Sequence, residues 1–463
     1  MNVSLCSRRG FLKALSLGGA AVAMPRYFCL ADAEGSPDHA PGRPNILWIV
    51  IDDIGPDLGC FGNRLVTTPN LDQFAKEGVR FPSAFATCPV CSPSRSAFST
   101  GMYQTTIGAQ DHRSAIGRLP EGTRAITDYL LEAGYWTVNI ESDGQFKEKK
   151  ILGSSGKTDW NFTPGRDPFT MHSWDVNHPE QIFTGEDWNK RKAGQPFFAY
   201  VNIETAKAHG FGDGRRFAKE QGISVHPEQI EVPPYYPDTP QMRDRLGQYY
   251  DAVSHLDFVV GEVLKGLKEA GLEEKTLVFF FSDHGRAMMR HKQWLYDGGI
   301  HVPLIVRWPG KIKPDSVRED LVSLIDVMPT TLRAAGIEAP ARMEGRHLFG
   351  GDVPPREYIF AARDRCDNTF DRVRCVRTQR YKYIRNFHPE LPYTQESEYA
   401  TGAFLELRLL MKLKEENKLT PEQALFMAPR KPPEELYDLQ ADPYEVKNLA
   451  DVAEHKEILL KLI

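Results

Sequence analysis

The chain has 463 residues, a formal net charge of −5 and 41% hydrophobic residues, which is enough for one large domain and a smaller one. No Lys- and Arg-rich run stands out, so nucleic acid is not predicted as a partner. Because the overall charge is negative, a site that binds an anion must gather basic side chains locally.

Residues 1–33 have the composition of an export signal. Arg8 and Arg9 precede a short apolar run, and Ala31-Asp32-Ala33 provides a small-residue cleavage site. The run is too short for a stable membrane span, and the paired arginines predict export through the twin-arginine translocase to the periplasm or the medium. The alternative, an amphipathic helix of the folded domain, lacks a polar face. Removal of this segment leaves a charge of about −8, since it carries three net positive charges.

The first structured element is predicted over Asn45–Ile51. This continuous apolar run is typical of a strand that is buried on both faces of a parallel sheet. It is followed directly by Asp52 and Asp53. Ligand sites of open α/β sheets lie beyond the carboxyl ends of strands, so this pair could hold a hard cation. The alternative is that the pair only caps a loop or a helix.

The stretch 87–101, TCPVCSPSRSAFSTG, places Cys91 in an unusual setting. Pro93 restricts the backbone after the cysteine. Arg95, four residues beyond Cys91, carries a guanidinium group that can bind an anion through two N–H groups. The alternative is a CxxC pair of Cys88 and Cys91, acting as a redox couple or as half of a metal site. No second CxxC accompanies it.

Further elements are predicted from apolar periodicity. Helices are expected over 70–78, 126–134 and 245–271, and another buried strand over 196–204. The Gly- and Pro-rich region 210–240 is expected to form a long surface excursion.

A second buried strand, Leu277–Phe281, leads into Asp283 and His284. Two strands that are far apart in the sequence thus each deliver a carboxylate, as a metal site requires. Segment 358–387 alternates like an antiparallel hairpin, and 434–450 closes it. The sequence therefore predicts an α/β fold with a large mixed, mostly parallel sheet sandwiched by helices, and a smaller C-terminal antiparallel α+β subdomain.

These motifs together resemble those of the type I sulfatases. The signature CxPxR followed by TG is matched at Cys91, Pro93, Arg95, Thr100 and Gly101. GIHVPLIVRWPG, at 299–310, resembles the family's GIRVPLIVRWPG, and the C-terminal stretches resemble the N-sulfoglucosamine sulfohydrolase-like group. The resemblance implies an alkaline-phosphatase-like fold, a catalytic domain over 43–345 and a C-terminal subdomain over 346–463. It also implies hydrolysis of sulfate esters or N-sulfates of carbohydrates.

The same resemblance implies two cofactors. Cys91 would be oxidised to formylglycine by a formylglycine-generating or maturase enzyme, and the hydrated aldehyde would act as the nucleophile. One Ca²⁺ per chain would be held by residue 91 together with Asp52, Asp53, Asp283 and His284, the last in place of the family's commoner asparagine.

Roles in substrate binding are implied residue by residue. Arg95, Lys157 and Lys292 would neutralise the sulfate oxygens, and either His209 or Lys292 would act as the general acid. The family's histidine after strand 196–204 falls, by its usual spacing, closer to Lys207 than to His209.

Three positions depart from the family pattern or are ambiguous. Asp159 occupies the histidine position of the GK-x-H motif that supplies Lys157, and it is a candidate substrate contact. His301 replaces an arginine, which implies an altered substrate contact. Arg365 could reach the sugar or belong to an exposed charged edge.

Three competing functions stay open: a phosphodiesterase or phosphonate hydrolase of the same superfamily, a non-catalytic carbohydrate-binding homologue, and a dithiol redox protein. The resemblance favours sulfated polysaccharide or glycosaminoglycan fragments as the substrate class.

Overall fold

The computed structural model describes residues 42–114, 116, 118–140, 156–162, 183–350 and 354–463. The predicted export signal lies outside these residues. Residues 39–463 form one unit by their internal contacts. Among the described helices, none is both long and apolar enough to cross a membrane.

The strands are, in chain order, β1 Asn45–Ile51, β2 Val79–Arg80, β3 Ala84–Phe85, β4 Trp136–Ile140, β5 Phe197–Ile203, β6 Thr276–Ser282, β7 His301–Val302, β8 Leu304–Arg307, β9 Ser316–Val317, β10 Val322–Ser323, β11 Ile359–Arg363, β12 Val373–Arg377, β13 Tyr381–Asn386 and β14 Glu434–Asp438. The α-helices are α1 Pro69–Lys76, α2 Cys91–Thr100, α3 Ile126–Glu132, α4 Phe211–Gln221, α5 Pro240–Glu269, α6 Asp297–Ile300, α7 Val327–Ala334, α8 Glu398–Ala403, α9 Leu405–Glu415, α10 Pro421–Phe426 and α11 Lys456–Leu462.

The central sheet has the order β4-β5-β1-β6-β8-β2-β9 in the described part of the chain. Strands β4, β5, β1 and β6 are parallel, whereas β8 is antiparallel to both β6 and β2. In register, Ile51 lies opposite both Ile203 and Ser282. The carboxyl ends of β5, β1 and β6 therefore meet at one edge of the sheet.

The alternating side chains of β1 explain why its sequence is apolar throughout. Leu47, Ile49 and Ile51 belong to the core on one face of the sheet, while Trp48 and Val50 belong to the core on the other. Helices cover both faces, so each side of the strand is withdrawn from water. The predicted large, mostly parallel sheet sandwiched by helices is confirmed.

The predicted C-terminal antiparallel sheet is also confirmed, with the order β11-β12-β13-β14. Its inward residues Ile359, Val373, Cys375 and Ile384 join the same core cluster as β1. The boundary between 345 and 346 stays a prediction, because this core is continuous across it.

The expected surface excursion over 210–240 is wrong for its first part, which forms helix α4. The helix packs closely on α5, where a Cβ on Gly214 would lie 2.4 Å from the Cα of Ala252. The glycines of this segment lower its helix propensity, and the sequence therefore predicts a loop. The close contact between the two helices requires a residue without a side chain at position 214.

Candidate active site

Carboxylates converge at the carboxyl edge of the central sheet, where the sequence places them. Asp52 and Asp53 follow β1 and Asp283 follows β6, and all three side chains are buried. The backbone N–H of Asp283 donates to Ile51 O at 2.9 Å, and that of Asp53 donates to Asp283 Oδ1 at 3.2 Å. The sheet ladder itself thus holds the two acidic segments together.

Cys91 is the first residue of the buried helix α2. Ser94, in the first turn, donates its hydroxyl to Asp283 O at 2.6 Å and docks the helix on the end of β6. The Cys91 sulfur lies 3.2 Å from His284 Nε2 and 3.4 Å from Lys292 Nζ. The cysteine of the CxPxR motif and the carboxylates of the strand ends therefore form one cluster.

This cluster favours the anionic form of the Cys91 side chain. Burial by itself raises the pKa of the Cys91 thiol, but Lys157, Lys292 and His284 outweigh burial and lower it. The N-terminal end of helix α2 acts in the same direction.

Arg95 lies behind the carboxylates and has no exposed surface. Its Nε donates to Asp283 Oδ2 at 2.9 Å, one terminal nitrogen donates to Tyr200 Oη at 2.8 Å, and the other contacts Asp52. The prediction that Arg95 contacts the sulfate is therefore wrong. It neutralises the carboxylates from within the fold, because a side chain without accessible surface cannot reach a substrate.

Three lysines line the open side of the cluster. Lys157 and Lys207 place Nζ at 2.7 and 2.9 Å from Asp52 Oδ2, and Lys292 places Nζ at 3.0 Å from Asp53 Oδ1. Burial raises the pKa of Asp52, but Arg95, Lys157 and Lys207 more than offset it and hold the pKa well below its usual range. The Asp52 carboxylate is therefore charged, and the three lysines present a local positive surface.

A cavity of about 740 Å³ opens above this surface. Its wall contains Asp53, Cys91 and the three lysines. The wall also contains residues of α5 and of the segment 402–408, together with His112, Arg113, Cys366 and Asp367. Within it, His112 Nδ1 lies 2.8 Å from Asp367 Oδ1.

Comparison with known protein families identifies the family of the chain. The family model described as Sulfatase matches residues 44–337, and the model described as N-sulphoglucosamine sulphohydrolase, C-terminal, matches residues 285–393.

The chain belongs to the sulfatase family.

This family membership makes the protein a sulfuric ester hydrolase, as predicted. The chain is 34% identical over 466 residues to an ulvan-active sulfatase of Formosa agariphila, covering 91% of this chain and 74% of that one. Two solved structures share the fold. A putative sulfatase from Bacteroides thetaiotaomicron is 21% identical, with 90% of each chain covered and a TM-score of 0.61. A phosphonate monoester hydrolase from Silicibacter pomeroyi is 20% identical, with 90% and 93% covered and a TM-score of 0.59.

Two predicted residues of this sulfatase lie elsewhere than expected. His301 stacks on Phe85 with ring centroids 4.9 Å apart, and its Nε2 lies 2.6 Å from Pro82 O. It is not part of the cavity wall, so the predicted substrate contact is wrong. Arg365 donates to the backbone oxygens of His112 and Asp367, both at 2.8 Å, and thereby joins two loops. Its predicted contact with the sugar is wrong because this guanidinium serves the backbone.

Asp159 is buried beneath the cavity, at 3.3 Å from Lys157 Nζ and 3.4 Å from Arg113 Nε. Burial raises the pKa of this carboxyl, and Lys157 and Arg113 outweigh that effect and lower it. Asp159 therefore orients basic side chains, and its predicted contact with substrate is wrong.

The structure places Lys207, and not His209, on the carboxylates. His209 is exposed at the cavity wall, whereas Lys207 contacts Asp52 and Glu204. The family's usual spacing after the strand at 196–204 indicates position 207, so the sequence carried enough information to identify Lys207.

The donor set fits a divalent cation. His284 Nδ1 donates to Gly285 O at 2.9 Å, which directs Nε2 towards Asp53 Oδ1 at 3.1 Å and the Cys91 sulfur at 3.2 Å. Burial lowers the pKa of His284, but Asp283, Cys91 and Asp53 raise it to about 9. A positive charge among these side chains, either a proton or a bound cation, is therefore favoured. A histidine fixed through its other nitrogen by a backbone carbonyl is the usual arrangement of a metal ligand.

The cysteines give little support to a redox pair. The described cysteines Cys60, Cys88, Cys91, Cys366 and Cys375 form no disulfide. Cys88 packs against Val90 and Cys366, and burial raises its pKa well above the usual value. Cys88 is therefore a poor thiolate, in contrast to Cys91.

Proposed function

We propose that this sulfatase hydrolyses sulfate esters or N-sulfates of carbohydrates, with formylglycine derived from Cys91 as the nucleophile. The observation that carries the proposal is the position of residue 91. Its side chain lies at the floor of a cavity, within 3.4 Å of Lys292 Nζ and beside the carboxylates that follow β1 and β6.

A carbohydrate substrate fits the shape and charge of the cavity. The volume of about 740 Å³ is in the range of sites for ligands larger than a single small ion. The relative from Formosa agariphila is named for activity on ulvan, which supports a sulfated polysaccharide as the substrate class. The sulfate would lie on Lys157, Lys207 and Lys292, whose charges attract its oxygens.

A calcium ion would be held by Asp52, Asp53, Asp283 and His284 together with residue 91. Carboxylate oxygens are the ligands that calcium prefers, and His284 adds a nitrogen that is less usual for this ion. Bound there, the cation would increase the acidity of the nucleophilic hydroxyl.

The residues of the chain divide the chemistry among them. Formylglycine, as a hydrated aldehyde, supplies one hydroxyl that attacks sulfur and a second that releases the sulfate. Lys292 lies beside residue 91 and stabilises negative charge on the attacking side. Arg95 pairs with Asp52 and Asp283 and holds both carboxylates in place. The sequence predicts His209 or Lys292 as the donor of the proton to the leaving oxygen.

Maturation and export complete the proposal. A formylglycine-generating or maturase enzyme would convert Cys91, and the twin-arginine translocase would carry the protein to the periplasm or the medium. The arginine pair that motivates this route, Arg8 and Arg9, lies outside the described residues.

The test is turnover by protein that is produced together with a maturation enzyme. We expect hydrolysis of an aryl sulfate and of sulfated oligosaccharides, with an aryl phosphodiester turned over far more slowly. Faster turnover of the phosphodiester would instead favour the phosphonate hydrolase alternative, whose fold this chain shares.

Two matched variants separate the remaining alternatives. Cys91→Ala should abolish turnover, while Cys88→Ala should keep it, since Cys88 is a buried thiol outside the cavity wall. Equal loss in both variants would favour a dithiol mechanism. Binding of a sulfated oligosaccharide without turnover in any preparation would favour a non-catalytic carbohydrate-binding protein.

A further inference from the structure

A histidine–carboxylate pair lies in the same cavity wall as the three lysines. His112 is 8% exposed, and its Nδ1 donates to Asp367 Oδ1 at 2.8 Å. Both residues line the cavity together with Cys91. A carboxylate on one ring nitrogen fixes the tautomer and the orientation of an imidazole, which leaves the other nitrogen for proton transfer.

Two loops that are distant in the sequence build this pair. The backbone N–H of His112 donates to Arg365 O at 3.0 Å, and the Arg365 side chain donates back to the backbone oxygens of His112 and Asp367. The backbone N–H of Arg365 also donates to Asp111 Oδ1 at 3.2 Å. These reciprocal bonds hold the pair in one geometry before any substrate arrives.

The pair is coupled to the helix that carries the nucleophile. The backbone N–H of Arg113 donates to Ser92 Oγ at 2.7 Å. The residue after His112 therefore contacts the residue after Cys91. This bond holds the loop of His112 beside the start of helix α2, and the imidazole lines the same cavity as the three lysines.

We propose that His112 is the general acid that protonates the leaving oxygen of the substrate, and that Asp367 is its positioning residue. The proposal rests on the sulfatase function given above. As the ester S–O bond breaks, its electron pair goes to the sugar oxygen, the proton of His112 Nε2 moves to that oxygen, and the sulfuryl group passes to residue 91. One hydroxyl of residue 91 loses its proton when its oxygen bonds to sulfur, and the second loses its proton when sulfate is expelled. One of these protons restores the imidazolium, the other passes to solvent, and addition of water restores the hydrated aldehyde, so the cycle ends with an alcohol and sulfate.

The buried basic groups around residue 91 are committed to different tasks. Lys157 and Lys207 are paired with Asp52, and Lys292 is paired with Asp53 on the attacking side. His284 uses Nδ1 for a backbone carbonyl and Nε2 for Asp53 and residue 91. Within the described cavity wall, His112 is therefore the buried imidazole that remains for the leaving group.

The charges around His112 suit this role once the substrate is bound. Burial lowers the pKa of His112 below its usual value and outweighs Asp367 and Asp159, which act to raise it, while Arg113 adds to the lowering. An anionic sulfate ester in the cavity adds negative charge and favours the imidazolium. Cys366, the third side chain of this wall, remains a thiol because burial raises its pKa to about 12.

The test compares leaving groups. In His112→Gln, kcat/KM for a sulfated sugar, whose leaving group is a poorly stabilised alkoxide, should fall about 10²- to 10⁴-fold. For 4-nitrophenyl sulfate, whose leaving group needs no proton, the loss should stay within about tenfold. Asp367→Asn should show the same selectivity with a smaller loss. His388→Gln is the matched control, since His388 also pairs with a carboxylate, Glu390, but lies exposed and outside the cavity wall.

The outcomes are distinct. Equal losses on both substrates in His112→Gln and in a second variant, His112→Asn, would overturn the role in proton transfer, and so would an unchanged rate on the sugar sulfate. The aryl sulfate rate reports whether each variant is folded. Absence of sulfate hydrolysis by the unchanged, matured enzyme would overturn the proposed function itself and this inference with it.

Discussion

Replacement of Arg95 by methionine tests the claim that buried charge is balanced within the site. The guanidinium has no exposed surface and contacts Asp52, Asp283 and the hydroxyl of Tyr200. Methionine fills much of the volume but leaves two buried carboxylates short of a partner. Breaking a buried ion pair by removal of one member costs about 3–5 kcal/mol.

The expected change in melting temperature follows from the size of the unit. Over residues 39–463, an unfolding entropy of about 2.1 cal/mol/K per residue amounts to about 0.9 kcal/mol/K. A loss of about 4 kcal/mol should therefore lower the melting temperature by about 4–5 °C. The drop in melting temperature should be largest in a chelator and smaller in excess Ca²⁺, because a bound cation would compensate the carboxylate charge that the substitution leaves unpaired.

Differential scanning calorimetry at neutral pH, with and without EDTA, measures the effect. Arg216→Met is the matched control, because Arg216 pairs with Asp213 at the surface with both side chains mostly exposed. Such a pair contributes about 0–1 kcal/mol. If Arg95→Met melted within 1 °C of the unchanged protein in EDTA, the assignment of Arg95 as the internal counter-charge would be refuted.

Three further predictions concern particular side chains. Lys207→Ala should reduce kcat/KM for sulfate esters by about 10- to 100-fold, since a hydrogen bond to a charged group is lost. His301→Ala should change kcat/KM less than about threefold, because His301 lies outside the cavity wall. The opposite ranking of the two variants in steady-state assays would contradict the assignment of the site. Asp283→Ala should abolish both turnover and Ca²⁺ binding by calorimetry, and near-native values of either would argue against its role. His291 is buried and its pKa is lowered to about 3 by burial and by Arg286, so the unfolded chain takes up a proton below about pH 6.5 that the folded chain does not. The free energy of unfolding should then fall by about 1.4 kcal/mol per pH unit as pH drops below 6.5. His291→Gln should flatten this slope in urea titrations at pH 5 and 7, and an unchanged slope would show that another group is responsible.

The parts of the site carried by strand ends could be predicted from the sequence. An apolar run that is buried on both faces identifies β1 and β6, and the rule that ligands lie beyond the carboxyl ends of strands places Asp52, Asp53 and Asp283 together. The structure shows why the rule holds here, since Ile51 pairs in register with Ser282.

Burial and long-range pairing could not be predicted in the same way. Arg95 and Asp159 look like substrate contacts because their residue types suit an anion site or a motif position, and the sequence does not reveal that both are buried. The pair of His112 and Asp367 depends on two loops 255 residues apart, neither of which carries a periodic pattern. His301 looked like a substrate contact because it replaces an arginine in a motif, yet its side chain stacks on Phe85.

The most direct test of the central claim is quantitative mass spectrometry of the peptide that contains residue 91, measured across preparations made with and without a maturation enzyme. We predict that specific sulfatase activity rises in proportion to the fraction of residue 91 found as formylglycine, which is lighter than cysteine, and that it extrapolates to zero when none is converted. Full activity in a preparation where residue 91 is entirely cysteine would contradict the account.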